Sequence, residues 1–283
     1  MKYGLEAYNK VLTSMEGYDS ENNGVDLSVS YDKKEKSLDP ECEYLLEGHE
    51  VPEEQDETKI VSFWDLIEKC APSPEYIPKP GEWTAIDCGA NVGEISQSFL
   101  QHGGKVYAFE PNKAVYNILK ERMSEHPWIV CYNAAVSDKH ETTKLYLHKK
   151  LDGLKQEDVK SEDDYFLHVR YSQGSSLKSD KRNVDENNYQ EVQSVRLCDF
   201  IRQIQNHPDI PPILILKIDV EGAEVDLLRD LLDTGIAEEI PFIFVETHDQ
   251  KIPSIADEMV KIRQRIEDGR KNNKYHNIYL NWM

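Results

Sequence analysis

From Trp83 onward the hydrophobic positions fall into short apolar runs separated by stretches with helical spacing. TAIDC (84–88), KVYAFE (105–110), IVCYN (129–133), ILILKID (213–219) and FIFVE (242–246) are rich in Val, Ile and Phe and nearly continuous in apolar character, as strands buried on both faces are. Between them VGEISQSFLQHG, NKAVYNILKERMSEH and AEVDLLRDLLDTG carry apolar residues three and four apart, and the first and third close on glycine. This alternation predicts right-handed βαβ units, hence an α/β fold with a mostly parallel sheet and helices on both faces.

The flanks and the middle break that rhythm. Residues 1–80 are polar and irregular, with a helical signal in GLEAYNKVL and an acidic stretch in HEVPEEQDE. A second helix is predicted at IVSFWDLIEKC, where Ile60, Phe63, Trp64 and Ile67 share a face, and the prolines of APSPEYIPKPG end it. The expected division is an N-terminal extension over 1–80, a cap or a dimerisation element that would make a homodimer, and a core domain over 81–283. Within the core, TTKLYLHKK alternates like a strand, whereas LDGLKQEDVKSEDDYF and KSDKRNVDENNYQ are charged and glycine-poor. They mark an insertion over 149–194, either a solvated excursion or a flap over a ligand. VQSVRLCDFIRQIQN predicts a strand and short helix that return to the sheet, IADEMVKIRQRIEDG a late helix, and NNKYHNIYLNWM a final strand.

Composition narrows the partners. The 283 residues are 39% hydrophobic and 30% charged, with a formal net charge of −20. A field of that sign repels phosphate backbones and anionic lipid, so neither nucleic acid nor a membrane surface is an expected partner. MKYGLEAYNK lacks the apolar core of a secretory signal, and Cys42, Cys70, Cys88, Cys131 and Cys198 are scattered without metal-ligand spacing. A cytoplasmic protein with reduced thiols is expected.

IDCGANVGEIS (86–96) holds the clearest chemistry: an apolar approach, a carboxylate, then glycines bracketing an amide. A glycine turn between strand and helix lets a ligand approach backbone N–H groups at the carboxyl edge of the sheet. Asp87, Gly89, Asn91 and Gly93 would sit there, and Glu110, ending the second strand, would accept the hydroxyls of a ribose. A dinucleotide wants a bare glycine where Asn91 stands, because its pyrophosphate must come close. S-adenosylmethionine has no phosphate, and its ammonium suits Asp87, directly or through water.

DCGANVG, YAFEP, NAAVSD, GSSL, LKIDVEGAEVDLLR and FVETH, in this order, make residues 83–250 resemble the FkbM-type methyltransferases. The resemblance implies a Rossmann-like S-adenosylmethionine-dependent methyltransferase fold and O-methylation of hydroxyls on sugars or other natural products. It further implies that Asp87, Gly89, Ala90, Asn91 and Gly93 line the methionine and ribose side, and that Glu110 holds the ribose. Asn133, Ala134 and Asp138 would flank the adenine, while Ser175 and Ser176 match a segment whose role the residues do not explain. The first 80 residues, and a C-terminal part with one strand where the common fold has two, depart from the family pattern.

Methyl transfer to an alcohol needs an aligned acceptor and a group to take its proton. Lys217, Asp219, Glu221, Glu246 and His248 lie at the ends of the fourth and fifth strands, facing the acceptor side. His248 is the expected base because its ordinary pKa is near neutrality; a structural histidine is the plainer alternative. Asp219 would orient base or acceptor, Lys217 would pair with a carboxylate, and Glu221 or Glu224 would be only a favourable charge at a helix start. Asp219, Glu246 and His248 could also ligate a divalent ion, although no tight ligand motif supports one and no metal is expected. Tyr165, His168 and Tyr171 could stack on a sugar, and Trp83 and Trp128 are expected to pack. The acceptor is expected to be a carbohydrate or another small-molecule hydroxyl; a non-carbohydrate amine and a non-catalytic binding module are the rivals.

Overall fold

A computed structural model of the chain describes residues 63–71, 73, 76–151, 171–172 and 174–280. The expected helix in GLEAYNKVL, the acidic stretch after it, Tyr165 and His168 lie outside these residues. Helix α1 (Phe63–Cys70) leads into β1 (Thr84–Cys88), α2 (Glu94–Gln101), β2 (Lys105–Phe109), α3 (Lys113–Arg122) and β3 (Ile129–Tyr132). A middle section follows with β4 (Ala135–Ser137), β5 (Glu141–His148), β6 (Val184–Arg196) and α4 (Leu197–Gln205). The chain then closes with β7 (Ile213–Ile218), α5 (Glu224–Thr234), β8 (Phe242–Val245), α6 (Ala256–Lys271) and β9 (Ile278–Leu280).

Six strands form one sheet in the order β3-β2-β1-β7-β8-β9, every pairing parallel. The first three strands wind outward to one side of β1, and the chain then crosses to β7 on the other. The strand order therefore reverses between β1 and β7, where open α/β sheets bind ligands. The last strand joins β8 in parallel, through Ile243 opposite Ile278 and Val245 opposite Leu280.

Side-chain alternation explains why the sheet needs cover on both faces. In β8, Phe242 and Phe244 pack with Ile67, Phe99 and Leu119 on one side, while Ile243 and Val245 pack with the residues of α4, α5 and α6 on the other. Trp83 is wholly buried in the first of these cores, and Trp128 stays 40% exposed at the sheet edge. Cys88, Cys131 and Cys198 are free thiols. Among the described residues no helix is long and apolar enough to cross a membrane.

Two sequence expectations need correction. VQSVR does not return to the main sheet: β6 pairs in parallel with β4 and antiparallel with β5, making a separate three-stranded sheet. That strand begins at Val184, so DENNYQ, which reads as a solvated excursion, is strand from end to end. Its middle is polar because residues 185–191 carry no fully buried side chain, while Val192, Ser194 and Val195 do. The boundary at residue 80 also cuts through a packed unit. Ile67 of α1 has no exposure and belongs to the core of Trp83 and Phe99, and the Trp64 ring stacks on His102 at 4.1 Å.

If α1 is part of the core, Ile67→Ala opens a cavity beneath it and should cost about 2–4 kcal/mol in urea unfolding. A change within about 0.5 kcal/mol, the range of surface substitutions, would show α1 to be dispensable.

Candidate functional site

At the strand reversal lies a cavity of about 560 Å³. Its lining includes Gly89, Ala90, Asn91, Glu110, Ala134, Lys217, Asp219, Glu221 and Glu246. Nine of the expected site residues therefore reach one space. Asp87, Gly93, Asn133, Asp138 and His248 do not line it.

Backbone geometry builds the loop end of the cavity. Gly89, Asn91 and Gly93 all take positive φ, at 78°, 50° and 91°. The first glycine is obligatory on two counts, since a Cβ there would meet the Asp219 carbonyl oxygen at 1.8 Å as well as strain the backbone. Gly93 opens α2 behind the lining, where a Cβ would stand 2.6 Å from Leu119.

All five loop N–H groups are committed inside the protein. Those of Gly89 and Ala90 donate to the Phe109 carbonyl at 3.0 and 2.8 Å, and that of Gly93 donates to Ala90 at 2.9 Å. The Asn91 N–H donates to Glu110 Oε2 at 3.0 Å, and the Val92 N–H to Asn91 Oδ1 at 2.7 Å. Asn91 thus does not crowd a phosphate with a protruding side chain, as the sequence suggested. Its amide folds back and takes up the N–H that a phosphate would use. Glu94, at the start of α2, adds a carboxylate to the same lining. The donor set fits a nucleoside without a diphosphate.

Glu110 is nearly buried and accepts from Asn91 N–H through one oxygen and from Asn112 N–H, at 2.8 Å, through the other. Burial pushes its pKa up to about 7, against the lowering effect of the two backbone donors. Each carboxylate oxygen keeps a lone pair for a hydroxyl donor. Behind it, the Asn133 amide nitrogen donates to the carbonyls of Glu110 and Pro111, both at 3.0 Å, and so braces the strand end. Asp138, half-buried beyond β4, is away from the cavity, which corrects its expected place beside an adenine.

Asp87 is corrected too. It has no exposure, accepts from Ser96 Oγ at 2.6 Å and pairs with Lys217 Nζ at 3.2 Å. A direct contact with a ligand ammonium is thereby excluded; Lys217 supplies the cation. That lysine also donates to the Gly89 carbonyl at 2.7 Å and lies 3.5 Å from Asp219, tying β1, its loop and β7 together. Burial pulls its pKa down, but Asp87 and Asp219 more than offset that and hold it above the ordinary lysine range. A charge this well compensated is structural in character.

His248 departs most from expectation. It is 1% exposed, with Nε2 at 3.1 Å from Glu221, 3.4 Å from Glu246 and 3.9 Å from Asp219, and Nδ1 at 3.4 Å from Glu224. Burial alone would lower its pKa, but the close carboxylates of Glu224, Glu246 and Glu221 prevail and raise it to about 10. Such an imidazole is already protonated at neutral pH, so the expected proton-accepting role is withdrawn. Glu224 is likewise more than a helix-end charge. Wholly buried, it accepts the backbone N–H of Gly222 at 2.6 Å and of His248 at 2.8 Å, clamping the loops after β7 and β8.

The remaining carboxylates divide by environment. Burial raises Asp219 and Glu221, whereas the bond to His248 holds Glu246 below its ordinary value. Asp219, Glu221 and His248 each offer a ligand atom within 4.8 Å of one another, a spacing that a divalent ion could bridge. Any such ion must displace the imidazolium proton and compete with Lys181, whose Nζ is 2.6 Å from Glu221.

Sequence reasoning missed Ser96, Glu224 as a clamp, Lys181, Asn183 and His148. Glu224, inside KIDVEGAE, and Ser96, closing IDCGANVGEIS, stood in motifs; the others come from segments without a local signature.

The protonated state of His248 is directly measurable. Its raised pKa stabilises the fold fully below about pH 6.5, the unfolded value, and that contribution fades as pH rises towards 10. In an NMR titration the His248 ring signals should not move between pH 6 and about 8. A midpoint near 7 would restore the histidine as a candidate base.

Comparison with known proteins agrees with the geometry. The chain is 24% identical over 178 residues to Methyltransferase 1 of Beauveria bassiana (strain ARSEF 2860), an alignment covering 59% of this chain and 65% of that protein. No solved structure matches. The Methyltransferase FkbM domain matches residues 87–275, which hold the glycine loop, the carboxylate cluster and strands β2, β3, β7 and β8 of the main sheet in full. The chain belongs to the FkbM methyltransferase family.

Proposed function

We propose that the protein transfers the methyl group of S-adenosylmethionine to a hydroxyl of a carbohydrate: a sugar, a nucleotide sugar or a glycan precursor. The observation that carries this reading is the loop whose five N–H groups are all engaged, beside a Glu110 carboxylate with lone pairs open to the cavity. A ribose is what such a site can take, and a diphosphate is what it cannot.

The cofactor, when bound, supplies a methyl carbon already activated by its sulfonium. The residues here then have to hold the nucleoside, align the acceptor and remove one proton. Glu110 is assigned to the ribose hydroxyls. Asp219 is assigned to the proton, because it lines the cavity and its raised pKa makes it a stronger base than the depressed Glu246. His248, as a fixed imidazolium, keeps Glu221 and Glu246 in place and tempers the repulsion among the carboxylates. A second reading, favoured by the three ligand atoms within 4.8 Å, gives the activation of the hydroxyl to a divalent ion.

Three outcomes follow. Labelled S-adenosylmethionine with a panel of sugars, nucleotide sugars and aglycones should transfer label to a carbohydrate oxygen; transfer only to an amine or aglycone would reject the proposed acceptor class. Asp219→Asn should lower kcat by about 10²–10⁴-fold while S-adenosylhomocysteine still binds. Full activity in this variant would remove Asp219 from the chemistry; activity abolished by chelation and restored by Mn²⁺ would pass the role to an ion.

The third outcome concerns pH. Glu110 ionises near pH 7, so S-adenosylhomocysteine should bind more tightly above that pH than below it. Glu110→Gln should weaken binding and flatten the profile; an unchanged profile would remove Glu110 from the ribose.

A further inference from the structure

The wall of the cavity formed by the middle section has no part in holding the cofactor under the reading above. It contains two polar atoms left without partners. Ser175 Oγ and Asn183 Oδ1 are both buried, both belong to residues lining the cavity, and neither has a hydrogen bond. Ser175 itself is only 6% exposed. Buried polar groups are nearly always satisfied, so two together in one cavity wall point to a ligand that completes them.

The GSSL segment explains how this wall is held. Its second serine, Ser176, is structural: the hydroxyl donates to the Glu221 carbonyl and accepts from Lys178 N–H at 3.0 Å, while its backbone bridges Tyr146. That pins the segment to the turn after β7 and turns Ser175 towards the cavity. Gly174 beside it is needed for closeness, since a Cβ there would stand 2.6 Å from both Asn183 and His148.

Around these atoms stand basic groups, facing the carboxylates of Asp219, Glu221 and Glu246 across the same lining. Lys181 is 3% exposed, with its ammonium 2.6 Å from Glu221 and 2.9 Å from the Gly174 carbonyl, which leaves one of its three N–H donors. Lys251 also lines the cavity; its backbone bonds to His248 and Arg182, while its ammonium has no hydrogen-bond or ion-pair partner among the described residues. His148 accepts Lys150 N–H through Nδ1 at 3.1 Å, which fixes Nε2 as a donor in the neutral ring. Behind the lining, the Lys149 ammonium donates to the Arg182 carbonyl at 3.0 Å. Of the nearby acids, Glu221 is paired with Lys181, Glu246 with His248 and Asp219 with Lys217, and Asp180 is taken up by Ser254 N–H and Oγ, both at 2.8 Å. His148, Lys181 and Lys251 thus gather basic groups in one wall of a chain whose net charge is −20.

We propose that this wall is an anion subsite for the methyl acceptor. The acceptor carries an oxyanion, a phosphate or a carboxylate, held by Lys181, Lys251 and the Nε2–H of His148. Ser175 and Asn183 take the hydroxyls beside it. The inference rests on the methyltransferase reading and refines its acceptor to an acidic sugar derivative. Phosphate and carboxylate share the chemistry that recognises them and differ in their source, a sugar phosphate or a uronic acid.

The test is calorimetry on the intact protein saturated with S-adenosylhomocysteine, using glucose 1-phosphate, glucuronate and methyl glucoside as probes. At least one anionic probe should bind about tenfold or more tightly than the neutral glycoside, with affinity falling as salt rises. Lys251→Glu should abolish that preference and Lys251→Arg should keep it. Ser175→Ala should weaken all three probes by about threefold to tenfold, the loss expected for one hydrogen bond. Equal binding of neutral and anionic probes, or a Lys251→Glu variant that still prefers the anion, would overturn the subsite. If S-adenosylhomocysteine itself fails to bind while the anionic probes do, the fault lies in the methyltransferase reading and the subsite stands.

Discussion

The bond from the Asn91 N–H to Glu110 Oε2 sets what the cavity can be. It joins the turn after β1 to the end of β2 at 3.0 Å and occupies a loop donor that dinucleotide folds leave bare for the diphosphate. Once that N–H is taken, and the next one is capped by Asn91's own side chain, the loop offers a nucleoside an acceptor in place of a row of donors. Gly89 makes the arrangement possible by allowing the turn to lie against the Asp219 carbonyl, where no other residue fits.

Two buried cations hold the rest together, and each does so by being outnumbered. Lys217 sits between Asp87 and Asp219 and fixes the carboxyl ends of β1 and β7 relative to each other. His248 sits among four carboxylates from the ends of β7, β8 and α5. A charge pair buried this deeply contributes little net stability over an apolar substitute, but removing one member leaves the others uncompensated. The value of these cations is therefore positional. They keep Asp219 facing the cavity with a pKa raised by burial, in a neighbourhood that would otherwise drive the carboxylates apart.

Much of the fold was legible because its signals are local. TAIDC, KVYAFE and FIFVE read as buried strands since both faces of the sheet are covered, and AEVDLLRDLLDTG carried its stop in Gly235, which adopts a φ of 78°. The loop residues and Glu110 were readable for the same reason: turn chemistry is written over a few consecutive positions. What failed depends on partners distant in sequence. The exposed middle of β6 has too few apolar residues to announce a strand and exists through its pairing with β5. His248 looked like a base because its ordinary pKa was the only information available, and three of the four carboxylates around it come from residues 219–224. Ser175 and Lys181 have meaning only through the turn at Glu221, forty or more positions away.

The central claim is that the space beside Asn91 receives a ribose on Glu110 and has no donors left for a diphosphate. A crystal structure of the complex with S-adenosylhomocysteine tests it most directly. The account predicts both ribose hydroxyls within about 2.6–3.2 Å of the Glu110 carboxylate, with the N–H groups of residues 89–93 still bonded within the protein. A nucleoside bound away from Glu110, or an NAD complex whose diphosphate rests on the Asn91, Val92 and Gly93 N–H groups, would contradict it.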